Sequence, residues 1–167
     1  SLGELMNAGL RVPPGFAFTT HGFRRFMEEG GIAAAIQAIL KGIDHWDLDA
    51  LEEASCDLRR AIESTPFPRE IEDLIAEFYR NLSLRCGMPV TPVAVRSSAT
   101  AEDLPGASFA GQQDTYLWIC GVVDVLAYVR RCMSSLFTAR AIAYRSKMGF
   151  DHDRVAISVG VQKMVNS

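Results

Sequence analysis

The sequence predicts an α/β (α+β) domain in which a helical portion, residues 20–87, packs beside a sheet portion, residues 88–167. Three observations predict it. Between Thr20 and Arg85 the apolar residues recur at three- and four-residue spacing. From Pro89 onward, short β-branched or aromatic runs replace that rhythm. The last of these, residues 154–165, is apolar on nearly every residue, as a central strand covered on both faces would be.

The elements follow in order. Residues 1–10 read as the interior of a helix that ends near Gly9, and residues 161–167 as a strand cut just after it finishes, so the chain reads as a piece of something longer. Residues 11–20, with Pro13 and Pro14, form an extended apolar segment suited to a sheet edge. Thr20 caps a short helix carrying Phe23, Phe26 and Met27, stopped at Gly30 and Gly31. Ile32, Ile36, Ile39 and Leu40 mark a second helix, and Leu48, Leu51, Leu58 and Ile62 a third that Pro66 and Pro68 end. Ile71, Leu74, Ile75, Phe78 and Leu82 face one side of a fourth, with Gly87 as its stop. Residues 91–96 and 114–119 are strands, with Tyr116 and Trp118 on one face of the second. A helical region over 124–147 breaks near Ser134 and Ser135 and ends at Gly149. Trp46 and Trp118 are expected to be packing residues.

The chain is 49% hydrophobic and 22% charged, the balance of an ordinary globular protein. A formal net charge of −3 gives no bulk electrostatic case for a nucleic acid or an anionic membrane as partner, so any anion must be held locally. Cys56, Cys86, Cys120 and Cys132 lie far apart with no neighbouring histidine, which argues against a zinc site or a disulfide framework and for reduced thiols in the cytoplasm.

The stretch from Ser97 to Gln113 is too long for a hairpin turn, and structureless loops longer than about 12–15 residues inside a compact domain are usually functional or disordered. It is rich in Ser, Thr, Ala and Gly. Small side chains let backbone N–H groups approach a ligand, Gly106 and Gly111 supply conformations barred to other residues, and hydroxyls add donors. Arg96, at the end of the preceding strand, adds a permanently charged fork that suits phosphate oxygens. The same composition also fits a surface loop with Arg96 paired to Glu102 or Asp103, and the pattern matches no P-loop or dinucleotide fingerprint.

The run Val95-Arg-Ser-Ser-Ala-Thr-Ala-Glu-Asp-Leu-Pro-Gly-Ala-Ser-Phe-Ala-Gly-Gln-Gln-Asp-Thr-Tyr-Leu117 resembles the signature of the N-terminal ATP-binding domain of phosphoenolpyruvate synthases and their relatives. Ser1-Leu-Gly-Glu-Leu, Val12-Pro-Pro-Gly-Phe-Ala-Phe-Thr-Thr, Arg140-Ala-Ile-Ala-Tyr-Arg145, Gly149-Phe-Asp-His152 and Val159-Gly-Val-Gln-Lys-Met-Val165 agree, so the resemblance covers essentially the whole chain. Pyruvate phosphate dikinases carry a different, Met- and Gly-rich loop after the arginine. Rifampicin phosphotransferases share much of the signature but fit the last two segments less well. A free-standing nucleotide-binding module is a further alternative.

The resemblance implies an ATP-grasp-like subdomain with a helical satellite beside a mixed sheet, the 97–113 loop serving as a flap over the phosphates of ATP. It implies that Arg96 holds the polyphosphate, that Gly111 and Thr115 offer flap and strand donors, and that Gln162 and Val165 sit at the adenine edge; Ser97, Ser98 and Thr100 are weaker candidates. The family's phosphate-contacting lysine would precede Ser1, and its Mg²⁺ carboxylate would follow Val165, so no metal ligand and no catalytic residue is expected in this chain. Pyruvate and the phosphohistidine domain are the partners the resemblance implies for the full-length enzyme, and it admits a homodimer.

The remaining polar residues have plainer readings. His21 follows a helix cap, His45 sits in a polar turn and His152 lies between Asp151 and Asp153; each reads as structural or solvent-facing. Asp151 and Asp153 read as caps and solvated charge rather than metal ligands. Arg140, Arg145 and Lys147 read as helix capping or ion pairing at a helix end.

Overall fold

The structure, a computed structural model, describes residues 13–98 and 114–165. Strand β1 (Gly15–Phe18) leads into four helices: α1 (Thr20–Glu29), α2 (Ile32–Leu40), α3 (Leu48–Ser64) and α4 (Arg69–Arg85). Strands β2 (Val93–Ser98) and β3 (Thr115–Ile119) follow, then α5 (Val122–Ser134), a 3₁₀ turn (Ser135–Phe137), α6 (Ala139–Met148) and β4 (Ser158–Lys163). The break near Ser134 is therefore a 3₁₀ turn between two helices.

Local chemistry accounts for the boundaries. The cap of α1 is Thr19, one residue before the expected Thr20; its hydroxyl accepts from the Gly22 N–H at 3.4 Å. Asp47 caps α3 by accepting from the Ala50 N–H at 3.1 Å, and Thr138 caps α6 by accepting from Ala141 at 3.3 Å. Helix α4 follows Pro68, carries Glu70 and Glu72 in its first turn and Arg85 in its last, each sign matched to the helix dipole. Gly149 closes α6 at φ +71, a left-handed conformation that favours glycine.

The sheet order is β1-β4-β2-β3, which puts the strands near residues 93, 116 and 159 in one sheet as expected. All three pairings are antiparallel, where a mixed sheet was expected. The reason is topological: β3 runs back beside β2, and β4 inserts between β1 and β2 opposed to both.

One continuous core joins the helices to one face of the sheet. Val93, Val95, Val159 and Val161 are fully buried on that face, against Phe26, Leu58, Ile62, Val125, Val129 and Phe137 from the helices and the 3₁₀ turn. Its hub is Phe67, held between Pro66 and Pro68. The ring packs on Phe18 at 5.7 Å and Phe26 at 5.1 Å, and the Arg130 guanidinium lies over it at 5.3 Å. Tyr79 bolts α4 to the sheet: its hydroxyl donates to the Thr91 carbonyl at 2.8 Å and accepts from the Gly121 N–H at 2.9 Å.

Several packing expectations fail. Trp46 is 71% exposed and Trp118 58% exposed. Register slips between Val93 and Val95, so that Val95 faces Tyr116 while Val93 faces Ile119. This bulge in β3 leaves Trp118 at φ +60 and breaks the two-residue alternation that would have kept Tyr116 and Trp118 on one face. On α4, Leu74 and Phe78 face outward, and Tyr79 is buried in their place. Strand β4 is central as expected, but only Val159 and Val161 are buried, and its other face is half-covered.

Gly15 is the tightest point of the sheet edge. A Cβ there would overlap the Val161 carbonyl oxygen and lie 3.0 Å from the Gln162 Cα, backbone atoms that cannot swing aside. Gly15→Ala is expected to cost about 1–3 kcal/mol by overpacking. Thermal unfolding should show a drop of roughly 2–12 °C, and amide exchange should show the loosening confined to the β1–β4 pair.

Candidate functional site

Alternation sorts the sheet residues into two faces. Val93, Val95 and Ser97 of β2 point toward the helices, and Arg96 points to the opposite face, where it is exposed. Strand pairing then sets its neighbours: Arg96 is opposite Thr115 on one side and Gly160 on the other, and Gly160 is opposite Ala17. One row therefore crosses all four strands as Ala17, Gly160, Arg96 and Thr115. The next row of the same face holds Gly15, Gln162 and Ala94.

The small residues in these rows leave room above the sheet. The Arg96 side chain passes beside Gly160 of β4, where a Cβ would stand in ordinary contact with the Arg96 Cγ at 3.5 Å. Among the described residues Arg96 makes no ion pair and no side-chain hydrogen bond. None of its five donors is taken up by a described residue, and Thr115 holds the adjacent position on β3. Gln162 lies two residues beyond Gly160 along β4, and its side-chain amide donates to the Pro13 carbonyl at 3.4 Å. Strand spacing puts Thr115 and Gln162 roughly 12 Å apart across the face. Val165 lies just past β4 and is 61% exposed; before it, the Met164 N–H donates to the Pro92 carbonyl at 2.9 Å.

The structure thus brings Arg96, Thr115 and Gln162 together on one face, with Val165 beyond its edge. It does not bring Ser97 there. Ser97 is 1% exposed, and its hydroxyl accepts from the Asp114 N–H at 3.0 Å while its own N–H donates to the Asp114 carbonyl at 3.0 Å. That pair joins the two ends of the 99–113 stretch, a role that a hydroxyl among apolar alternating residues announces only once the register is known. The backbone of Ser98 pairs with Ser158. Thr100, Gly111, the flap reading and the possible partners Glu102 and Asp103 lie outside the described residues.

Beside the face, the Tyr116 hydroxyl donates to the Asp114 carboxylate at 3.4 Å, and burial with that nearby negative charge raises the phenol above its ordinary range. Arg131 lies over the rings of Tyr116 and Tyr128 at 5.6 and 5.4 Å. The Cys132 thiol behind them is pushed up to about 12, first by burial and then by Asp114, so it is an inert packing group.

This arrangement supplies a permanent cation, a hydroxyl, an amide and a floor of small residues, which suits a polyanion. Among the described residues no group of three or more His, Cys, Asp or Glu could hold a metal ion. No described helix is long and apolar enough to cross a membrane.

The family described as pyruvate phosphate dikinase, AMP/ATP-binding domain, matches residues 1–167. The chain is 53% identical over 167 residues to a probable phosphoenolpyruvate synthase of Methanocaldococcus jannaschii, covering 100% of this chain and 14% of that protein. It is 49% identical over 164 residues to the phosphoenolpyruvate synthase of Helicobacter pylori, covering 98% of this chain and 20% of that protein. With the phosphoenolpyruvate synthase of Aquifex aeolicus the figures are 44% over 171 residues, 100% and 20%. The chain spans between 14% and 24% of the length of such relatives.

Proposed function

Because the chain belongs to the pyruvate phosphate dikinase AMP/ATP-binding domain family, we propose that its open sheet face holds the triphosphate of ATP for a phosphoenolpyruvate synthase reaction. In that reaction ATP, pyruvate and water become AMP, phosphoenolpyruvate and phosphate, with the β-phosphoryl group carried on a histidine of another domain. The relatives named as phosphoenolpyruvate synthases favour this acceptor over the antibiotic phosphotransferase and dikinase alternatives.

The observation that carries the reading is the row Gly160, Arg96, Thr115. It sets one unpartnered guanidinium, among the described residues, over a glycine and beside a hydroxyl, on the face that the described helices leave open. An ATP-grasp architecture, with a second α+β unit closing over this face, is the arrangement that would cover it. Arg96 and Thr115 would neutralise and orient the phosphates, and Gln162 and Val165 would border the adenine. The Ser97–Asp114 pair would fix where the 99–113 stretch leaves and rejoins the sheet. Such positioning and charge neutralisation are most of what phosphoryl transfer asks of a protein. Mg²⁺ would be held by carboxylates outside this chain.

Amide shift mapping of this chain with ATP tests the placement. Ala94, Arg96, Thr115, Gly160 and Gln162 are expected to move with nucleotide, while α3 and α4 stay still. Affinity should be no better than roughly millimolar, since one charge-assisted contact supplies about 1.5–3 kcal/mol and a millimolar Kd needs about 4. Shifts mapping to the helical side, or micromolar binding by the chain alone, would place the phosphate site elsewhere.

A further inference from the structure

Arg145, which the sequence reads as helix capping or ion pairing at a helix end, lies wholly buried, with no exposed area. Among the described residues no carboxylate pairs with it. Its Nη2 donates to the Leu136 carbonyl at 2.6 Å, its guanidinium lies over the Phe137 ring at 5.3 Å, and its Nη1 is buried without a partner. Its Nε donates to Nδ1 of His152 at 3.1 Å.

That last bond fixes the histidine's protonation. A guanidinium has only donors, so Nδ1 must present its lone pair. The neutral ring then carries its proton on Nε2, which lies 3.1 Å from the Ser146 hydroxyl and donates to it. Arg145 and Ser146 are on the last turns of α6, and His152 is in the turn that leads through buried Ala156 and Ile157 into β4. We propose that Arg145, His152 and Ser146 form an acid-released latch that fastens the turn between α6 and β4 to the end of α6.

A proton on Nδ1 would set two N–H groups and two cations against each other, so the latch holds only while the ring is neutral. The charges that bear on the ring are Arg145 from α6 and Asp151 and Asp153 from its own turn. Burial, then Arg145, lower the ring from its ordinary 6.5 to about 4, and the two carboxylates act in the opposite sense without prevailing. The linkage has one sign. The unfolded imidazole gains its proton near 6.5 and the latched one near 4, so the contribution to stability is complete above 6.5 and is lost as pH falls toward about 4. A carboxylate at position 152 would pair with Arg145 more strongly, but could not be released by a single proton in this range.

The test uses this chain and does not depend on nucleotide. Nitrogen-15 spectra of the His152 ring should show the Nε2–H tautomer and a midpoint well below 6.5, with faster amide exchange in residues 149–158 as the ring titrates. In H152N the amide oxygen replaces Nδ1 as acceptor and does not titrate. That variant is expected to keep the turn protected at neutral pH and to lose the exchange change on acidification. An Nδ1–H tautomer, a midpoint at the ordinary value, or an unchanged acid response in H152N would overturn the proposal. Failure of ATP to bind the open face would leave it standing.

Discussion

Arg96→Ala in the full-length protein is expected to weaken ATP binding by roughly 10- to 150-fold, the equivalent of one charge-assisted contact of about 1.5–3 kcal/mol. AMP formation should fall further, because charge on the transferring phosphoryl group grows toward the transition state. The fold should not notice. Arg96 is exposed and makes no ion pair or side-chain hydrogen bond among the described residues, so its removal orphans no partner among them. Calorimetric titration with ATP, an AMP-release assay and a melting curve on the same preparation separate the effects. Full activity with unchanged affinity would remove Arg96 from the phosphate site; a lowered melting temperature would make it structural.

The opposite signature belongs to Phe67. Phe67→Ala should cost about 3–5 kcal/mol, a large share of the roughly 5–15 kcal/mol that holds a domain together. The ring is 4% exposed and touches Phe18 of β1, Phe26 of α1 and the Arg130 guanidinium of α5. Truncation would open a cavity where three elements meet and leave Arg130, already lowered from its ordinary range by burial, without its ring. Denaturant unfolding should show the loss directly, and Phe67→Leu, which keeps most of the volume, should recover more than half of it. A loss under about 1 kcal/mol would mean that the site collapses onto itself.

Phe67 also shows where sequence reading stopped. Its two flanking prolines announce a helix end and the next helix start, and so read as punctuation. Nothing in the period of either helix marks the residue between them as the hub of the core. Helices were legible because their apolar spacing is set within one segment: Phe23, Phe26 and Met27, or Leu51, Leu58 and Ile62, bury as their spacing implies, although Leu48 at the first position of α3 is exposed. Strand faces were less legible, because a single bulge at Leu117 and Trp118 inverts the alternation, and the bulge exists only in relation to β2. The same limit applies to the candidate site. Arg96 stood out as a lone cation before a tract of small residues, but Gly160 beside it and Ala17 beyond Gly160 come from opposite ends of the chain and join its row only by pairing. The burial of Arg145 was hidden for a related reason: a place in the last turn of a helix suggests a cap or an ion pair, and does not say that the following turn folds back to bring His152 onto it.

The pairing of β1 with β4 has a consequence for how the chain is made. Gly15 waits for Gln162, and synthesis at about 5–20 residues per second puts roughly 7–30 s between them. During that interval α1 to α4 can form from contacts close in sequence, whereas β1 lacks the one strand that pairs with it among the described residues. Phe16 and Phe18, which face the core once β4 arrives, are then a short apolar edge at the ribosome's exit. Nascent chains stalled before residue 158 should therefore be the aggregation-prone and chaperone-bound species, and those stalled after β4 has emerged should not.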